Sequence, residues 1–170
     1  MMHSLKPRVR ASVVVLLAVG ACTMDPAGSQ PETQIASVVP AANAENVDPG
    51  SAIRIRFSHG MMQGMESYMA LHEGSVSGPV VAGMWMWSAD RTEATFRPAA
   101  ALTTRTAYVI HVGGGLWDAE GRMLGLGEHC LQLGGQWAQR SMMGSGGAMM
   151  GSGWSHVNGT YGMVFRFVVA

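Results

Sequence analysis

The sequence predicts an all-β protein, an antiparallel β-sandwich, and three observations carry that prediction. Stretches of alternating apolar and polar residues recur along the chain: IRIRF from residue 53, EATFRP from 93, AYVIHV from 107 and VFRFVV from 164. Turn sequences punctuate it, with DPGS at 48, SADR at 88 and DAEG at 118. A helical period is almost absent. Short strands joined by frequent turns bury one face each, and two such sheets closing on each other form a sandwich or barrel.

The first element is outside that fold. MMHSLKPRVR carries Lys6, Arg8 and Arg10, and the apolar run ASVVVLLAV follows. The run is too short for a membrane span, which needs about 20 residues. A basic head, a short apolar run and small residues at its end read as an export signal over residues 1–21. Val19-Gly20-Ala21-Cys22 then resembles the lipobox of bacterial lipoproteins. That resemblance implies a lipidated Cys22 as the new N-terminus, anchored stably by two or more acyl chains. Asp25 is not adjacent to Cys22, so the expected destination is the outer membrane, facing the periplasm.

Residues 22–34 follow as a polar tether with Pro and Gly, and the domain proper is expected over 35–170. Removal of the signal takes the only lysine and leaves eight arginines against eleven acidic residues, about −3. No basic stripe is present, which excludes nucleic acid as a natural partner. With Cys22 acylated, Cys130 is the remaining thiol, and no intrachain disulfide can form.

In the strands, Ile53, Ile55 and Phe57 share one face and Arg54 and Arg56 the other. Ala94 and Phe96 face inward against Thr95 and Arg97. Tyr108, Ile110 and Val112 face inward, with Val109 and His111 outward and His111 expected to be solvated. Phe165 and Phe167 flank Arg166 in the closing strand. GMWMWS at 83 is apolar on both faces, the Trp85/Trp87 pair on one and Met84/Met86 on the other. It is expected to be a central strand covered by a long loop.

The order of these motifs resembles the bacterial Ig-like domain family found in S-layer and other cell-envelope proteins. The shared features run from Val38-Val39-Pro40 and Val47, through F-S-x-x-M at Phe57–Met61 and T-F-x-P at Thr95–Pro98. They continue with Leu102, Thr106, Tyr108, Ile110 and Val112, and end at D-x-x-G, Asp118–Gly121. The resemblance covers about residues 36–124 and implies an Ig-like β-sandwich acting as a binding, spacing or structural module. It brings no catalytic residues. Tyr108 fits a tyrosine corner, its phenol bonding to backbone upstream. After Leu124 the pattern is interrupted by a Gly/Met-rich insertion over about 125–160, before the last strand at 161–169. GEHCLQLGG could add one short strand there.

Soft-donor residues supply a second functional reading. Thioethers and thiols suit Cu(I) and Ag(I). Met62, Met65, Met69 and His72 stand at intervals that would share one face of a helical turn. His129-Cys130, Met142-Met143 and Met149-Met150 form further clusters, and Trp85 and Trp87 could shield a soft cation. Against this, Met61 sits where the family places a packing methionine, methionine fills irregular core gaps well, and Cys130 suits a buried, inert thiol. Enzyme signatures such as G-x-S-x-G, H-E-x-x-H, a P-loop or C-x-x-C are absent. Asp118 with Glu120 falls far short of a calcium shell.

The leading expectation is therefore a lipid-anchored, non-catalytic envelope module without a cofactor, whose partner is an envelope protein or polysaccharide. The alternative is a Cu(I)- or Ag(I)-binding or buffering protein that uses the Met, His and Cys set named above.

Overall fold

The computed structural model of the chain describes residues 32–138 and 162–170. Among these residues nine strands form in chain order: β1 (Ile35–Val39), β2 (Ala44–Val47), β3 (Ile53–Phe57), β4 (Met69–Glu73), β5 (Gly83–Trp87), β6 (Glu93–Pro98), β7 (Ala107–Gly113), β8 (Gln136–Trp137) and β9 (Gly162–Val169). A 3-10 turn (Met65–Tyr68) precedes β4, and a short helix, α1 (Glu128–Gln132), precedes β8. No described helix is long and apolar enough to cross a membrane.

The period-two pattern decides which side chains meet. In one sheet, of order β1-β3-β6-β5, Ile53 stands opposite Phe96 and Ile55 opposite Ala94, all inward. Arg54 and Arg56 stay exposed. In the other, β4, β7 and β9 present Leu71, Ile110 and Phe165 to the same interior. One apolar cluster joins both inner faces, which makes the two sheets a sandwich. Each fully buried Phe, Ile or Leu contributes roughly 1.5–3 kcal/mol through apolar surface removed from water.

The C-terminal strand closes the second sheet, as its alternation predicts. β9 pairs with β7 antiparallel from Gly113↔Gly162 to Ala107↔Val168. Its opposite edge is shared: β8 pairs antiparallel with Met163 and Val164, while β2 pairs parallel near Phe167 and Val169. Gly162 permits the close approach to β7, since a Cβ there would lie 1.8 Å from the Val112 carbonyl oxygen. The tyrosine corner is also present. The Thr103 amide donates to the Tyr108 phenol oxygen at 2.8 Å, and the Tyr108 ring stacks on Phe167 at 5.8 Å.

Several expectations need correction. β5 is an edge strand, not a central one, because only β6 pairs with it among the described residues. Trp85 packs on Phe96 and Trp87 on Phe57, so the methionines face outward, Met84 being 68% and Met86 40% exposed. His111 is on the outer face of β7 as expected, yet it is buried, not solvated. It sits between its register partners Ala70 and Val164, with its ring 5.7 Å from His72. The tether ends earlier than residue 34, because Thr33 is fully buried and bridges Leu124. GEHCLQLGG forms α1 instead of a strand, and the added strand, β8, comes immediately afterwards.

Candidate functional site

Chemistry-bearing residues gather where the loop after β3 meets the D-x-x-G turn. Three extended segments run side by side there. Met61 pairs with Asp118, and Trp117 pairs with Met123, both antiparallel. The bonds Met62 N–H to Trp117 O (2.9 Å), Ala119 N–H to Gly60 O (2.8 Å), Asp118 N–H to Arg122 O (2.9 Å) and Leu124 N–H to Leu116 O (2.8 Å) fix the register.

Two rows follow, one on each face, because residues directly opposite in a ladder point the same way. The inner row is Met61, Asp118 and Arg122, and its first two members are fully buried. The outer row is Met62, Trp117 and Met123, which are 43%, 41% and 54% exposed.

The inner row is a polar lock. Asp118 accepts from Thr33 Oγ1 (2.5 Å), Glu120 N–H (2.9 Å), Arg122 N–H (2.8 Å) and Arg122 Nε (2.7 Å). Burial opposes ionisation of its carboxyl, but these donors outweigh burial and hold it well below the usual carboxylate range. Gly121, at φ 79°, completes the turn in the left-handed region that a side chain disfavours. Arg122 also reaches Glu120 at 2.9 Å. This carboxylate is therefore committed to folding.

A third grouping flanks the outer row. Trp87 Nε1 donates to Glu66 at 2.9 Å, and the Arg91 guanidinium lies 4.8 Å over the Trp87 ring. The Trp87 bond is the main reason the Glu66 carboxyl titrates below its ordinary value. Arg91 also donates to the carbonyls of Met61 and Met62, which fastens the outer row to β5 and β6.

The described members of the metal set expected from sequence are not brought together. Met62 is on the surface, whereas Met65 is buried in the 3-10 turn with its Sδ accepting the Trp117 N–H at 3.2 Å. Met69 points into the core and His72 to the opposite face of the same strand, because β4 alternates where a helical turn was expected. His72 Nδ1 lies 3.1 Å from Gly78 O, and burial pushes its imidazole below its usual range. His129 Nε2 contacts Ile35 O at 2.7 Å, and Cys130 is fully buried with its thiol pushed up to about 11 by burial. Such a thiol is not a poised ligand. Cys22, Met142, Met143, Met149 and Met150 lie outside the described residues. Among the described residues, no three His, Cys, Asp or Glu gather to hold a metal.

Trp117 and Met123 were not singled out from the sequence. A signal was available: in GLWDAEGRML they bracket the five residues Asp118–Arg122, which makes them cross-strand partners once Asp118 and Arg122 close the turn. A separate depression of about 210 Å³ lies beside the tyrosine corner, lined by Pro79, Val81, Ala100 and Leu102. It is smaller than ordinary ligand pockets, which span roughly 300–1,000 Å³.

A family model described as a bacterial Ig-like domain matches residues 29–129. Solved structures that resemble the chain include the S-layer protein rSbsC(31-844), at 13% identity and TM-score 0.42, covering 56% of this chain and 12% of that one. CopC from Methylosinus trichosporium OB3b matches at 16% identity and TM-score 0.41, covering 54% of this chain and 83% of that one. An L,D-transpeptidase from Mycobacterium smegmatis matches at 20% identity and TM-score 0.39, covering 56% and 39%. The chain thus spans about an eighth of the S-layer protein's length. No curated protein matches the chain.

Proposed function

The chain belongs to the bacterial Ig-like domain family, and on that premise we propose that it is a lipid-anchored, non-catalytic binding or structural module of the bacterial cell envelope. The Val19–Cys22 pattern supports an anchor at Cys22 in the outer membrane, with the sandwich held in the periplasm by the residues that follow. Its partner is an envelope protein or polysaccharide. The family match supports a module that presents surface and performs no chemistry.

The single observation that carries a binding role is the outer row. Met62, Trp117 and Met123 form an exposed apolar strip on a frame whose other face is locked by Asp118. Large, rigid aromatic surface on a preorganised frame suits recognition at low entropic cost. The alternative copper- or silver-buffering role draws no support from the described members of the ligand set first expected, since Met62, Met69, His72 and Cys130 are dispersed over separate faces.

Expression of the full chain in a bacterium, followed by fractionation and mass analysis of the N-terminal peptide, tests this reading. The expected product sits in the outer membrane with an acylated Cys22, and Cys22→Ser leaves it unacylated and unanchored. An unmodified Cys22 in the wild type, or a variant still held in the membrane by an uncleaved leader, overturns the anchor.

A further inference from the structure

The outer row holds two thioethers on either side of one indole, and that arrangement has a specific chemistry. We propose that Met62, Trp117 and Met123 form a binding site for a soft monovalent cation, Cu(I) or Ag(I), with the two Sδ atoms as ligands and the Trp117 ring as its aromatic wall.

Geometry comes first. The three residues are in register across three adjacent segments, so their side chains leave the same face. Neighbours in such a ladder stand about 5 Å apart at Cβ. Met62 and Met123 flank Trp117 and so stand two steps, roughly 10 Å, apart; their unbranched arms, each with several soft torsions, can reach toward each other over the ring. All three are open to solvent, so an ion can enter without unfolding anything.

Preorganisation comes second. The inner row is pinned by four hydrogen bonds to Asp118, and the Met62 carbonyl is held by Arg91. The Trp117 backbone is tied by its N–H to Met65 Sδ. Met65 itself is buried beneath the row, which is why it is not assigned as a ligand. The backbone beneath the three exposed side chains is thereby fixed, as a site built on a rigid frame requires.

Ligand class comes third. Thioether sulfur is a soft, neutral donor that prefers Cu(I) and Ag(I) and offers little to hard or borderline divalent ions. An indole face attracts a cation through its ring quadrupole. Of the two arginines beside the row, Arg91 is engaged with Trp87 and balanced by Glu66, and Arg122 is paired with Asp118 on the inner face. The site differs from the set expected from sequence in both membership and logic. It depends on cross-strand register between residues 62, 117 and 123, not on helical spacing along residues 62–72.

The full chain, reduced and handled anaerobically, is titrated with Ag(I), and with Cu(I) against bathocuproine disulfonate, while tryptophan emission is recorded. Wild type is expected to bind with a change in emission, and Trp117→Phe to abolish that change while keeping weaker uptake. Met62→Leu/Met123→Leu is expected to weaken the binding that perturbs emission at least tenfold, with an unchanged unfolding midpoint because both side chains are exposed. Replacing Met142, Met143, Met149 and Met150 by Leu is expected to leave the emission response intact. The proposal falls if the Met62/Met123 double variant keeps wild-type affinity and emission change. It falls equally if the response follows Met142, Met143, Met149 and Met150, or if Zn(II) elicits it as well as Ag(I). Anchoring at Cys22 is read by fractionation and does not enter this measurement, so failure of one leaves the other standing.

Discussion

Thr33 Oγ1 donates to Asp118 Oδ2 at 2.5 Å, joining residues 85 positions apart in the chain. The bond ties the start of the domain to the turn that carries the Trp117–Met123 pair. It also makes the first residues after the tether part of the fold.

Removing the Asp118 carboxylate should leave Arg122 Nε and three other donors without their acceptor in a largely buried place. Asp118→Ala is expected to cost about 3 kcal/mol, and Thr33→Val about 1–2 kcal/mol, in denaturant unfolding. The pH dependence has a definite sign. The folded-state pKa of Asp118 is depressed, so its contribution is full above the unfolded value of about 4 and is lost as pH falls through the folded value. Wild type should therefore lose stability below about pH 4 more steeply than Asp118→Asn. Parallel acid profiles for the two would contradict this.

The Tyr108 phenol supports the loop between β6 and β7 from inside. Tyr108→Phe keeps the ring stack on Phe167 but removes the acceptor for the Thr103 amide. The expected loss is about 1 kcal/mol. Phe167→Ala, which opens a cavity beneath β9, should cost about 3–5 kcal/mol. A larger effect for the hydroxyl than for the ring would reverse the assignment of the corner.

Cys130 should be chemically silent while the protein is folded. Its burial lowers the thiolate population roughly a hundredfold at pH 8 and also blocks access. In a Cys22→Ser background, iodoacetamide at pH 8 is expected to label the folded chain negligibly and the guanidinium-unfolded chain readily. Equal labelling rates, followed by mass spectrometry, would show that α1 opens easily.

The two faces of β5 should respond oppositely to substitution. Met84→Lys, on the exposed face, is expected to change stability by less than about 0.5 kcal/mol and to reduce self-association at high concentration, since a charged edge resists strand addition. Trp87→Ala removes the Glu66 bond, the Arg91 stack and the Phe57 contact together. It should cost about 2–3 kcal/mol. Comparable losses for both would mean that the strand is buried on both sides.

Much of this architecture was legible before any coordinates. Alternation in IRIRF, EATFRP, AYVIHV and VFRFVV named the inward residues correctly, and the closing strand was found across a long interruption. The tyrosine corner and the D-x-x-G turn were legible because each is a local arrangement with its own residue requirements. The candidate site was less legible. Met62 was noticed for a spacing that a strand does not honour, while Trp117 and Met123 passed unremarked in a turn read only for its Asp and Gly.

By itself, the sequence determined the fold class and the face each strand side chain takes, because period-two alternation is written between neighbours and survives any arrangement of the strands. Only the tertiary structure decided which strand lay at an edge, which outward residue was nonetheless buried, and which thioethers met an indole. Those outcomes depend on register between segments far apart in the chain. Met84 and Met86 emerged on the exposed face of an edge strand of the described sheet, His111 was enclosed between Ala70 and Val164, and Met62 came opposite Trp117. Pairing of that kind is settled when distant strands bury their apolar faces together, and a local pattern holds no record of it.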